Sequence, residues 1–127
     1  MLENESNSLT PEEIVTLAVT ALDDKKAADI KILHTAAKTV IADYFVICHG
    51  LSSTHIKALV DEVDKRLTEA GEPPIKREGA RSDVWVLLDC GCVVVHIFTQ
   101  EARQFYNLER LWQDSASVDA ASFLKNS

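Results

Sequence analysis

The sequence predicts an α/β domain, a mixed β-sheet packed by helices. Three observations predict it. Residues 10–24 and 52–71 carry apolar side chains at helical spacing. Residues 29–34, 43–49 and 84–98 are short, strand-like and apolar. The two kinds of segment alternate along the chain, which is the order of a sheet covered by helices. At 127 residues, 46% hydrophobic and 26% charged, the chain suits one soluble domain with a core of several layers.

Residues 1–9 hold little apolar material and are expected as a flexible N-terminus. In LTPEEIVTLAVTALDD, Thr10 can cap a helix, Pro11 fits its first position and Glu13 completes a capping box, with Leu9 placed to staple onto Ile14. Ile14, Leu17, Ala18, Ala21 and Leu22 form the apolar stripe. DIKILH at 29–34 alternates as a half-buried strand, and DYFVICH at 43–49 is a second, more apolar one. Gly50 breaks that strand. In the helix that follows, Ile56, Leu59, Val60, Val63 and Leu67 share a face, Ser52 or Ser53 caps the start and Gly71 lies past the end. Pro73 and Pro74 prevent continuation. Residues 75–83 read as a short strand and loop, two strands surround Cys90-Gly91, and a helix begins near Thr99. FYNLERLW closes the ordered part, which makes residues 10–112 the domain. Residues 113–127 form a C-terminal tail, read as a weak helix or as irregular chain.

The hairpin at 84–98 is the informative stretch. With Cys90-Gly91 as a two-residue turn, Trp85 stands opposite His96 and Asp89 opposite Cys92. Period-two alternation then separates an aliphatic face (Val84, Val86, Leu88, Val93, Val95, Ile97) from a mixed one (Trp85, Leu87, Asp89, Cys92, Val94, His96). The aliphatic face belongs against helices, because burying each such side chain is worth roughly 1.5–3 kcal/mol. The mixed face is too apolar for plain solvent, yet burying Asp89 there without a partner is costly. An aromatic residue beside aliphatics and a carboxylate has the composition of a protein-binding patch. The competing expectation is a third layer covering that face.

Twenty acidic against thirteen basic residues give a net charge of −7. That balance opposes direct nucleic-acid binding, which depends on Lys and Arg displacing counterions, and favours a basic partner. It also fits a protein that simply stays soluble. No apolar run is long enough to span a membrane, and MLENESNS resembles neither a signal nor a transit peptide. Three cysteines suit a reducing compartment, so a cytoplasmic location is expected.

Catalytic readings find little material. The turn Gly50-Leu51-Ser52-Ser53 lies between a strand and a helix and could hold phosphate on backbone N–H groups, although a serine is needed there as a cap in any case. A nucleotidyltransferase site adds two or three metal-binding carboxylates. Asp89 is followed by Cys90, Gly91 and Cys92, so the second carboxylate of a pair is missing, and Asp43 has no acidic neighbour at strand spacing. Zinc could be held by Cys90 and Cys92 with Cys48, His49 or His96, but no second close-spaced pair exists. Phe105, Tyr106 and Trp112 read as core or docking residues. No enzyme activity, metal or cofactor is expected.

Three linked stretches resemble one family, the ribosomal silencing or Iojap-like factors: ADYFVICHG and SSTHIKAL within 42–59, WVLLD, G and VVVHIF within 85–98, and EARQFYNLERLW at 101–112. The resemblance implies a nucleotidyltransferase-like fold without catalytic carboxylates. It implies binding to the large ribosomal subunit through its ribosomal protein fourteen, a block on subunit association, and repression of translation. Trp85 falls on the family's strand tryptophan and is carried over as the interface anchor. Leu87 and Asp89 follow in the same strand, and Tyr106 and Glu109 come from the closing motif. A homodimer is also compatible with the family. Cys92 departs from the acidic residue usual after the hairpin glycine, which leaves Asp89 as the main acidic contact. The alternative function is a nucleotide-binding or residual nucleotidyltransferase domain.

Overall fold

The computed structural model describes residues 9–34, 42–79, 84–111 and 116–118. Helix α1 spans Pro11–Asp24. Thr10 Oγ1 accepts the Glu13 N–H at 3.1 Å while the Glu13 carboxylate accepts the Thr10 N–H at 2.8 Å, so two otherwise unpaired donors are satisfied reciprocally. Strand β1 is Ala28–His34 and β2 is Tyr44–Gly50. Helix α2, Ser53–Glu69, is capped by Ser52, whose hydroxyl accepts the His55 N–H, and the chain leaves it through Gly71 at φ +87°. Strand β3 is Lys76–Glu78, β4 is Trp85–Asp89 and β5 is Val93–Thr99. Helix α3 covers Gln100–Tyr106 with Thr99 as its cap, and a short turn of helix, α4, covers Leu108–Leu111.

Among the described residues six strands lie in the order β3-β4-β5-β2-β1-β6, the last being Ala116–Val118. β2 and β5 are parallel at the centre and every other neighbouring pair is antiparallel, so the sheet is mixed, as expected. β6 is not the weak helix or irregular chain expected of the tail: three of its residues pair with the outer edge of β1. The N–H and C=O groups along that edge need partners, which a short Ala-Ser-Val segment can provide despite its weak strand pattern.

Helices α1 and α2 cover one face of the sheet. Ile14, Val15, Ala18, Val19 and Leu22 of α1 and Ile56, Leu59, Val60, Val63 and Leu67 of α2 meet Ile32, Tyr44, Val46, Cys48, Val86, Leu88, Val93, Val95 and Ile97 in one core. The expected aliphatic face of the hairpin is therefore the buried one, apart from Val84, which precedes β4 and is exposed. β2 is buried along nearly its whole length because a second, smaller cluster lies on the other face. Gly50 allows α2 to start directly over β2: a Cβ there would stand 2.8 Å from Ile56 Cγ1.

The hairpin register differs from the expected one. The Cys90 N–H bonds to the Val93 carbonyl at 2.9 Å, so the two-residue loop is Gly91-Cys92 and not Cys90-Gly91. Gly91 takes φ +83° at the first loop position, where mirror-image hairpin turns also accept glycine. Trp85 consequently faces Phe98, Leu87 faces His96 and Asp89 faces Val94. Each partner moves by two residues, and a shift of two leaves the paired strand residues on their expected faces. Cys92 is the exception: expected on the mixed face, it falls in the loop and packs against the helix-covered core.

Candidate functional site

The second face of the sheet is half closed. Leu33, Phe45, Ile47, Val94, Phe98 and Ala102 form its cluster, with Trp85, Leu87 and Leu108 partly buried at the margin. The expectation that the mixed face stays open is thus corrected at two positions: Val94 is buried, and His96 is only 4% exposed. Their cover includes residues far away in sequence, on β1, β2 and α3. What remains accessible is the β4 side, where Trp85, Leu87 and Asp89 are each partly exposed.

Trp85 organises that side. Its indole stacks on Phe98 with ring centroids 4.9 Å apart and a 27° interplanar angle, and lies 4.8 Å from the Tyr106 ring. Tyr106 in turn meets Phe105 edge-on at 5.1 Å. Phe105 is 81% exposed and Tyr106 45% exposed. An aromatic ridge therefore runs from the sheet out to solvent, and a shallow groove beside it is lined by Glu78, Gly79, Trp85 and Leu87. Gly79 is required at its rim, because at φ +74° a Cβ would come within 2.4 Å of the Trp85 carbonyl oxygen.

Of the expected interface residues, Trp85, Leu87 and Tyr106 are brought together. Asp89 is on the same face but four residues along the strand, about 13 Å from Trp85 at the usual rise. One of its carboxylate oxygens accepts the Gly91 N–H at 2.9 Å and so secures the turn. Glu109 belongs to α4, and its side chain lies outside the described residues, as does Trp112. Two further residues, Phe105 and His96, take parts in this face that the sequence did not specify. Phe105 was read as core or docking, and the structure makes it the most exposed member of the ridge. His96 was placed opposite Trp85, but its role as a hydrogen-bond partner was not foreseen: the indole N–H donates to His96 Nδ1 at 3.2 Å, across the diagonal of the strand pair. The signal for that contact was present, since both residues fall on one face of one hairpin.

In the Gly50–Ser53 turn one backbone donor that a phosphate could use, the Leu51 N–H, is already taken. The Leu51 N–H donates to His55 Nδ1 at 3.0 Å, the His55 N–H to Ser52 Oγ, and the Ile56 N–H to the Ser52 carbonyl. His55 Nε2 reaches the Lys25 carbonyl at 2.8 Å, which ties the turn to the end of α1. Burial pushes the Cys48 and Cys90 thiols up to about 12, so both stay protonated and are poor nucleophiles or metal ligands at neutral pH. Among the described residues no group of three or more His, Cys, Asp or Glu side chains is placed to hold a metal ion. The polar cleft lined by Asp29, His49, Gln100, Arg103, Gln104 and Asn107 is built around a guanidinium turned inward. Arg103, 6% exposed, donates to the Asp29 carbonyl at 2.7 Å and lies 3.0 Å from His49 Nδ1. It thereby fastens the irregular start of β1, where Asp29 has φ +50°.

The family described as ribosomal silencing factor during starvation matches residues 8–127. The chain belongs to that family. It is 41% identical over 111 residues to a ribosomal silencing factor of Halalkalibacterium halodurans, covering 87% of this chain and 95% of that one. The Bacillus subtilis silencing factor is 40% identical over 111 residues, with 87% of this chain and 94% of that one covered. A mouse protein named mitochondrial assembly of ribosomal large subunit protein 1 is 34% identical over 101 residues, which are 77% of this chain and 44% of that one. Among solved structures, a Chromobacterium violaceum protein superposes with a TM-score of 0.81 at 38% identity, covering 83% of this chain and 88% of the other.

Proposed function

We propose that this chain acts as a ribosomal silencing factor: it binds the large ribosomal subunit through ribosomal protein fourteen, blocks association with the small subunit and so represses translation. The observation that carries the reading is the half-open aromatic ridge of Trp85, Tyr106 and Phe105 on a chain of net charge −7. A partly buried Trp offers a large apolar area with few rotatable bonds, the usual make-up of an interface anchor. The acidic field favours a cationic partner and speeds encounter with it. Family membership and the name of the mouse relative support a large-subunit partner.

The action is steric, needing neither turnover nor cofactor, and the chain's own charge leaves ribosomal RNA a minor contributor. No helix among the described residues is long and apolar enough to cross a membrane, and we place the activity in the cytoplasm. A homodimer through the same ridge would compete with the ribosome. The alternative, nucleotide binding at the Gly50–Ser53 turn, loses the Leu51 N–H to His55.

Mixing purified small and large subunits with saturating protein is expected to reduce the joined-ribosome peak on a sucrose gradient and to leave the chain co-sedimenting with the large subunit. An unchanged profile at saturation contradicts silencing by exclusion.

A further inference from the structure

His96 is an odd residue for the place it occupies. It sits mid-strand in β5 among the rings of Phe45, Trp85 and Phe98, with centroids 4.8, 5.9 and 6.2 Å away. An apolar side chain would fill such a site without leaving a polar atom to satisfy. Nδ1 accepts the indole N–H of Trp85, so the neutral ring carries its proton on Nε2. That Nε2 is buried and has no hydrogen-bond partner among the described residues. Burial alone holds the ring's pKa down to about 4, and no charged group is among the causes. The side chain therefore bears a desolvation cost, and the hydrogen bond it makes in return goes to the indole.

We infer that His96 is a positioning residue for docking, holding the Trp85 indole in one orientation against Phe98 and Tyr106. This rests on the proposed function of the ridge and adds how its anchor is aimed. An indole pinned by stacking alone can slide within its plane or turn over. A directional acceptor at one edge stops both, and an anchor already fixed loses less freedom when the partner arrives. His96 itself stays out of the interface, since it is buried.

The test separates orientation from binding. In 1H–15N spectra of the full chain, Trp85 and Trp112 each give an indole N–H signal, and Trp112→Phe assigns them. The Trp85 signal is expected downfield and slow to exchange with water. His96→Phe keeps the ring volume and removes the acceptor, so the signal should move upfield and exchange faster. His96→Asn returns an acceptor near the former Nδ1 and should restore both. In sedimentation with isolated large subunits, His96→Phe should bind about fivefold more weakly, the scale of one hydrogen bond's worth of pre-orientation, and His96→Asn should recover most of the loss. An indole signal indifferent to His96→Phe overturns the inference, and so does a shifted signal with unchanged affinity. If the wild-type chain itself fails to bind large subunits, the docking function falls and takes the purpose of the orientation with it; the resonance then judges the hydrogen bond alone.

Discussion

Trp85→Ala is expected to weaken binding to isolated large subunits by about 2 kcal/mol or more, roughly thirtyfold, the scale of an interface hot spot. The indole is both anchored in the molecule and open to a partner. Its removal exposes the Phe98 ring, frees Tyr106 and empties the wall of the groove formed with Leu87, Glu78 and Gly79. Part of the indole is core, so the variant also loses stability, and a circular dichroism melt must show that it is folded at the assay temperature. Phe105→Ala provides the companion measurement. At 81% exposure Phe105 contributes little to folding, yet it continues the ridge, so its loss should lower affinity while leaving the melt unchanged. A folded Trp85→Ala chain that binds like the wild type removes Trp85 as the anchor.

The second large effect is on stability against pH. His96 has an ordinary value of 6.5 that burial lowers to about 4 in the folded chain. Below pH 6.5 the unfolded chain takes up a proton at this residue that the folded chain refuses, so proton binding pulls the equilibrium towards unfolding. The stabilisation from keeping the ring neutral is complete above about pH 6.5 and disappears as pH falls towards 4, on the order of 3 kcal/mol in all. Urea midpoints measured at steps from pH 7 to pH 4 should fall more steeply for the wild type than for His96→Phe. The comparison cancels the other three histidines and the carboxylates, which both chains share. Parallel curves would mean that His96 is protonated as readily in the folded chain as in the unfolded one.

Much of this architecture was legible in the sequence because it depends on local rules. Thr10, Pro11 and Glu13 specify the start of α1 by backbone donors within one turn, and Ser52 and Gly71 bound α2 in the same way. The two faces of the hairpin were legible for a different reason: alternation is insensitive to an error of two residues. The register itself was not, because Cys90-Gly91-Cys92 allows the glycine to stand first or second in a two-residue loop. Closure of the mixed face over Val94 and His96 was also out of reach, since its cover comes from Leu33, Phe45 and Ala102 on three other elements. Asp89 reads as an interface charge from its face, its type and the family resemblance, and the structure gives one of its oxygens to the turn at Gly91. Arg103 shows the same limit: a charged residue in EARQFY reads as surface, and it is the Ala28 and Asp29 carbonyls at the irregular start of β1, both accepting from its guanidinium, that explain why it turns inward.

We propose that the Trp85 ridge is the surface that meets ribosomal protein fourteen. Position 105 allows it to be tested with little disturbance, since Phe105 is exposed and a benzophenone-bearing phenylalanine continues its ring. Irradiating that variant on isolated large subunits and identifying the cross-linked product by mass spectrometry reads the contact directly. A cross-link to ribosomal protein fourteen that disappears with Trp85→Ala is the predicted result. Cross-linking confined to ribosomal RNA or to another protein, from a variant that still binds the subunit, would contradict it.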